Sequence, residues 1–227
     1  MTSSGKIARF ADVESETSSG DRTRDKLLRA GITVFAELGY HAASTRLIEG
    51  AAGVKRNLIS YHWGSKEEFW RACFSRLADD ALREIRLAEQ QAVNVDGVER
   101  LRYFIRAFVR LSAKFPELQC IMLDEGRRAE DRLQWIVKRH VKPFYARVEA
   151  LLNDARRIGA AISMDTQSFY YALVGSAVIF TMAPECRLLS GEDPQEEAMI
   201  ARHADAIARL LIRDDGPRPE TRKRGKR

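Results

Sequence analysis

With 227 residues, 45% of them hydrophobic, the chain has ample material for a packed core, yet no stretch approaches the ~20 apolar residues of a membrane span, and residues 1–21 lack the apolar run of a secretory leader. Its three cysteines, Cys73, Cys120 and Cys186, are odd in number and widely spaced within apolar helical patterns, which argues against a disulfide framework or a zinc site and fits the reducing cytoplasm. The net charge of +6 is unevenly spread: residues 22–66 hold eight Lys/Arg against three Asp/Glu and residues 213–227 seven against three, whereas 67–212 hold 21 against 22, so the basic ends and not the middle suit phosphates.

Residues 1–21, rich in Ser, Thr, Gly and charge without a period, are expected to be a disordered tail. From Arg22 the spacing turns helical, with Leu27, Gly31, Val34, Phe35 and Leu38 on one stripe that ends at Gly39, a suitable left-handed cap. Thr45 is placed to cap a second helix whose Leu47, Ile48 and Ala51 point inward, Gly53 permits a sharp turn, and Val54 packs back beneath it. The third helix is expected over Lys55 to His62, with Leu58 and Ile59 inward and Lys55, Arg56, Asn57, Ser60 and Tyr61 outward. Two short helices hinged at Ala52-Gly53-Val54, the second of them basic, form a helix-turn-helix, which implies duplex DNA as partner and a helix laid in the major groove.

Ser65 and Glu68 are spaced as a capping box for a long helix with Phe69, Cys73, Leu77, Ala81 and Ile85 in one stripe and Trp70 and Phe74 beside it, wide enough to touch both the small domain and the larger helical one after it. Asp96 with Glu99 opens a helix carrying Leu101, Phe104, Ile105, Phe108 and Leu111, and Pro116 starts another bearing Leu118, Ile121, Met122 and Glu125. The pattern through Leu133, Ile136, Val137, His140 and Val141 must kink or divide at Pro143 before Phe144, Val148, Leu151, Leu152 and Ala155 resume it, and Gly159 ends the segment. Residues 165–182 are apolar on more than one face and read as one helix buried nearly all round. After a loop at 191–194 a last helix carries Ile200, His203, Ile207, Leu210 and Leu211. Nothing alternates with period two, so the fold class is all-α: an N-terminal three-helix helix-turn-helix domain over 22–68, a larger helical domain over 69–212, and a basic disordered tail over 213–227.

The larger domain carries Trp135, His140, Phe144, Tyr145, Tyr170, Tyr171 and Phe180, with Met122, Glu125 and the pair Arg127-Arg128. Aromatic residues at helical spacing belong to cores first. A ligand cavity is the sharper reading, because buried polar groups such as His140, Glu125 and the tyrosine hydroxyls need partners that a bound effector could supply. Met122, Glu125, Trp135, His140, Phe144 and Tyr171 are the candidate lining. No Gly-rich phosphate loop, metal-ligand spacing or Gly-x-Ser-x-Gly elbow occurs and no histidine has a nucleophile pattern beside it, so no catalytic residue, metal or cofactor is expected. A helical module that binds a ligand or protein and holds DNA only nonspecifically is the alternative.

Phe35, Gly39 and Thr45, the Ala52-Gly53-Val54 turn and the ending Tyr61-His62-Trp63-Gly64-Ser65-Lys66-Glu67 resemble, at fixed spacing over roughly 45 residues, the DNA-binding domain of the tetracycline-repressor (TetR) family. Ser60, Trp63 and the Asn57-Leu58 pair depart from the family's usual Tyr, Phe and Gly-Thr. The resemblance implies a transcriptional repressor whose 69–212 domain binds a small-molecule effector and forms a homodimer through the last two long helices, reading a palindromic operator. On the matching positions, Lys55, Arg56 and Asn57 would read base edges, Arg and Asn offering paired donors. Thr45, Tyr61, His62 and Lys66 would meet phosphates, and Arg46 and Ser60 complete the candidate DNA-binding set.

Overall fold

The computed structural model describes residues 19–92 and 94–212; 1–18 of the first expected tail and all of the second lie outside the described residues, while 19–21, also expected in the tail, already belong to the first helix. Eleven α-helices build the described part, without a β-sheet. The first, α1 (Ser19–Ala42), is broken at Gly39, whose φ of 71° and ψ of 170° leave the helical region before one more turn to Ala42. α2 spans Thr45–Ala51, α3 Leu58–Trp63 and α4 Lys66–Gln91. Next come α5 (Gly97–Lys114), α6 (Pro116–Glu125) and α7 (Asp131–Ile136), and a π turn at Val137–Val141 leads into α8 (Lys142–Arg157). The last described elements are α9 (Thr166–Gly175), a 3₁₀ turn at Val178–Thr181, α10 (Ala183–Ser190) and α11 (Glu197–Leu211). No single helix among the described residues is long and apolar enough to cross a membrane.

Local chemistry accounts for most helix starts. The Asp96 carboxylate accepts from the amides of Val98 and Glu99, both at 2.9 Å, and Asp165 does the same for Ser168 at the start of α9. Ser65 Oγ accepts from the Glu68 amide at 3.1 Å, but Glu68 does not complete the box: its carboxylate pairs with Arg71 at 3.2 Å, and the Ser65 amide goes to the Trp63 carbonyl. The second helix is capped by Ser44 and not by Thr45, because Ser44 has the extended backbone (φ −89°, ψ 149°) from which a side-chain oxygen reaches the Leu47 amide.

Several inward assignments are corrected. Leu38 and Leu47 are about half exposed and Ala51 is exposed, leaving Ile48 and Glu49 as the residues that α2 buries. The kink expected at Pro143 is taken up one turn earlier by the π turn, and Pro143 sits in the first turn of α8, where its missing N–H costs nothing. Residues 165–182 are not one buried helix: α9 stops at Gly175, and Tyr171 is 64% exposed. α10, which the sequence pattern does not announce, comes after it, so the last helices among the described residues have 10, 8 and 15 residues and are not two long ones.

Two apolar clusters form the core. The first joins Leu27, Val34 and Phe35 of α1, Ile48, Ile59 and the first half of α4 as far as Ala78, with Ile121 of α6 and Ile136 of α7. The second runs from Ala81 and Ile85 of α4 through α5, α8 and α9 to α11. α4 therefore belongs to both. Cys73 is fully buried in the first cluster, and burial pushes its thiol well above the ordinary cysteine range, so it is a protonated packing group.

At Gly31, where α1 crosses α4, a Cβ would lie 2.6 Å from Phe69 Cζ and 2.7 Å from Cys73 Sγ, both on fully buried side chains. Alanine gains ~1 kcal/mol of helix propensity but overpacks this contact at ~1–3 kcal/mol. Because both neighbours are fully buried, Gly31→Ala is expected to lower the Tm; an unchanged or higher Tm would mean that the Phe69 ring yields.

Candidate nucleic-acid interface

The segment between α2 and α3 is built by backbone chemistry. The Val54 amide donates to the Glu49 carbonyl and the Gly53 amide to the Gly50 carbonyl, each at 3.1 Å, and Gly53 has a φ of 63° that glycine supplies without strain. Asn57 holds a second left-handed position, φ 67° and ψ 10°, which asparagine tolerates better than most residues. Its side chain makes no cap bond. The cap comes from α2: the Glu49 carboxylate, 4% exposed, accepts from the Asn57 amide at 3.1 Å (Oε2) and from the Ile59 amide at 2.9 Å (Oε1). One negative charge thus satisfies two orphan donors at the start of α3 and fixes its angle to α2.

Consequently α3 begins at Leu58, and Lys55 and Arg56 lie in the turn before it and not on the helix. Arg46, Lys55, Arg56, Asn57, Ser60 and Tyr61 are all exposed, Tyr61 at 80%, while Thr45 and His62 are half-buried. Arg46, Lys55 and Arg56 have no ion-pair partner among the described residues, so their charge is free for an outside anion. From Tyr61 a series of edge-on ring contacts runs inward, His62 at 5.0 Å, Trp63 at 5.5 Å and Phe69 at 4.8 Å, tying the exposed end of α3 to the core. Lys66 is engaged elsewhere: its ammonium donates to the Tyr40 carbonyl at 2.5 Å and lies 4.3 Å from the Tyr40 ring, and burial, with Arg132 nearby, lowers its pKa.

Behind Tyr40 a buried ionic knot joins α1 to the larger domain. Arg132, 7% exposed, donates to Glu125 at 3.0 Å and to Glu130 at 2.6 Å, and stands 3.8 Å from the Tyr40 ring. Its Nη2 also lies 3.3 Å from His41 Nε2. Glu125, named as a ligand candidate, is thereby committed to Arg132, with its Oε2 buried and unpartnered.

A cavity of about 120 Å³ lies between α4, α5, α6, the π turn, α8 and α9. Of the candidate lining, Met122, His140 and Phe144 face it. Trp135 does not; its ring packs 6.0 Å from both Trp70 and Phe74. Tyr171 is on the outside of α9, and its neighbour Tyr170, 8% exposed, takes its place at the wall. Glu49 and Arg132 are site residues that sequence pattern alone does not single out, and Tyr170, one of the aromatic set of the larger domain, is not in the candidate lining. For Glu49 a signal existed, since it is one of three acidic residues in a strongly basic segment.

A three-helix unit that presents unpaired cations from a tight turn and its following helix, seated on a helical body with an apolar cavity, defines a helix-turn-helix DNA-binding transcriptional regulator. Residues 27–73 match the family described as bacterial regulatory proteins, tetR family. The chain is also similar to curated transcriptional regulators and shares its fold with solved structures. It is 35% identical over 88 residues to the transcriptional activator FasR of Mycolicibacterium smegmatis, a match that covers 39% of this chain and 39% of that protein. Against the transcriptional regulator RutR of Escherichia coli it is 19% identical over 193 residues, covering 85% of this chain and 90% of RutR. The fold is similar to that of FadR from Bacillus subtilis, solved in complex with stearoyl-CoA: TM-score 0.63 and 17% identity, over 85% of this chain and 99% of that one.

Proposed function

We propose that this regulator is a cytoplasmic homodimeric repressor that leaves a palindromic operator when a small molecule enters the cavity beside α4. One observation carries the reading: α4 contributes Phe74, Ala78, Ala81, Leu82 and Ile85 to the cavity wall, while its first turns, with Phe69, Trp70 and Cys73, complete the core under α3. A ligand that prefers one setting of α4 biases the setting of α3, which is the differential interaction that release of DNA requires. The stearoyl-CoA complex of FadR supports an effector site in this fold. Leu188 and Leu189 on α10 and Leu210 on α11, exposed at 88%, 80% and 66%, support self-association at that end of the chain.

In this reading residues 22–68 carry the DNA contacts, on a core that α4 completes as far as Ala78, and the helices after it, up to 212, hold the effector and dimerisation surfaces. Lys55, Arg56 and Asn57 read base edges, and Thr45, Arg46, Ser60, Tyr61 and His62 meet the backbone, with two copies set for half-sites about 34–36 Å apart. Selection of duplex sites from a randomised pool at physiological salt tests it, with the oligomeric state read by sedimentation. An enriched palindrome bound by a dimer is expected. Binding without enrichment, in the range of ~10⁻⁴–10⁻⁶ M, would favour instead a helical module with only nonspecific DNA affinity.

On the selected site, Arg56→Ala is expected to lose ~1–3 kcal/mol of binding and some base discrimination. Asn57→Gly keeps the left-handed turn and removes the amide, so it isolates the side chain's part in readout from its part in folding. An unchanged site preference in the Arg56 variant would remove that residue from the readout set.

A further inference from the structure

We infer that Arg24 of α1, held over the indole of Trp63, is a phosphate contact of the DNA-binding unit, and that Trp63 is the residue that positions it. The inference rests on the placement of α3 against DNA proposed above and adds a residue from a different helix to its contacts. Arg24 is exposed, and its guanidinium carbon stands 5.2 Å from the centroid of the Trp63 ring, at the last residue of α3. That is within the range of a cation–π contact, and tryptophan is the ring that holds a cation best. The ring is braced in turn, meeting His62 at 5.5 Å and the fully buried Phe69 at 4.8 Å.

The charge is left for an outside anion. Arg24 has no ion pair among the described residues, and the carboxylate next to it in sequence, Asp25, is taken up by Arg29 at 2.8 Å and by Arg76 at 3.0 Å. Its place relative to α3 completes the case. Lys55 and Arg56 lie in the turn before that helix and Arg24 lies at its end, so cations bracket a segment of six residues. At a rise of ~1.5 Å per residue the segment is about 9 Å long, and the major groove is ~12 Å wide with a phosphate strand along each wall. A helix this short that enters the groove brings the charges at both of its ends within reach of phosphates. An arginine that meets a phosphate gives up rotamer freedom, and one already resting on a ring gives up less. The contact with the indole takes up no carboxylate or carbonyl, so the fork of N–H donors remains for phosphate oxygens.

Titration of a selected duplex site with the full chain and its variants, at salt from about 50 to 200 mM, tests this. Each phosphate contact contributes about 0.9 to the slope of log affinity against log salt, so Arg24→Gln is expected to lower the slope by about 0.9 for each bound copy, and its affinity deficit to shrink about 3.5-fold per copy across that range. Arg24→Lys keeps a charge and is expected to keep the slope while binding more weakly than the parent. Trp63→Phe is expected to weaken binding less than Arg24→Gln does, and to add little to it in the double variant. Arg29→Gln removes a cation that Asp25 already pairs and is expected to leave the slope in place. Site preference should be the same throughout, because phosphate contacts carry no sequence. A parental slope in Arg24→Gln, an equal effect from Arg29→Gln or an altered site preference overturns the phosphate contact, and additive losses in the double variant overturn the positioning role of Trp63. The Arg24 and Arg29 variants decide the contact by themselves if Trp63→Phe misfolds. If no site is enriched, the same titration on a random duplex separates the two readings: a slope lowered there by Arg24→Gln supports the phosphate contact while the operator reading fails, and an enriched site that Arg24→Gln binds with the parental slope does the reverse.

Discussion

Glu49→Ala is expected to destabilise the protein by about 2–4 kcal/mol and to abolish selective operator binding. Each hydrogen bond to a charged acceptor is worth ~1.5–3 kcal/mol, and the variant removes two at once, from the amides of Asn57 and Ile59. The Ile59 bond is buried and has no water to replace the carboxylate; the Asn57 amide is only partly buried and recovers some solvation, which keeps the total below the simple sum. Glu49→Gln is the sharper probe. Its amide keeps one acceptor oxygen but turns an NH₂ toward the second backbone donor, so it should lie close to alanine and not midway. Chemical denaturation of the three proteins measures this, and an alanine variant with the parent midpoint would show that α3 holds its angle without the clamp.

The second large effect is at the knot behind Tyr40. Arg132→Met leaves Glu125, 1% exposed, as a buried carboxylate without a cation, and a loss of ~3–5 kcal/mol is expected. Removing both charges, in Glu125→Leu with Arg132→Met, is expected to restore most of that loss, because Glu125 Oε2 has no partner even in the intact pair and the desolvation of two ions is then no longer borne. Denaturation of the two single variants, the double variant and the parent gives the coupling directly. Additive losses would mean that the pair is hydrated and that the Arg132 guanidinium contributes through the Tyr40 ring, 3.8 Å away.

What was legible in the sequence is what local chemistry determines. The caps Ser65 and Asp96, the positive φ at Gly53 and the stripes of α4 and α5 each depend on neighbours within one or two helical turns. What was not legible depends on distance along the chain. Glu49 reads as an ordinary helical acid until the turn folds Asn57 and Ile59, eight and ten residues on, back onto it. Ser44 and Thr45 are both good cap residues, and only the backbone at Ser44 decides between them. α10 carries a Pro in its first turn, a start signal, but its Leu188 and Leu189 are both exposed, so it shows no buried stripe to count. At the cavity the π turn adds a residue to the helical repeat, which brings His140 to the wall while Trp135 stays among Trp70 and Phe74; a count at constant 3.6 spacing cannot separate them.

The passage of α4 through both apolar clusters bears on modularity. The segment that reads DNA is not a detachable head: Phe69, Trp70, Cys73 and Phe74 of α4, with Ile121 and Ile136 from beyond it, close the cluster that holds Phe35, Ile48 and Ile59. A graft that exchanged specificity by cutting before Phe69 would strip the transplanted piece of the floor it stands on. The natural joint falls between Ala78 and Ala81, where small side chains mark the handover from one cluster to the other. Chimeras joined there, with Ile121 and Ile136 carried over as their matching surface, keep each core whole.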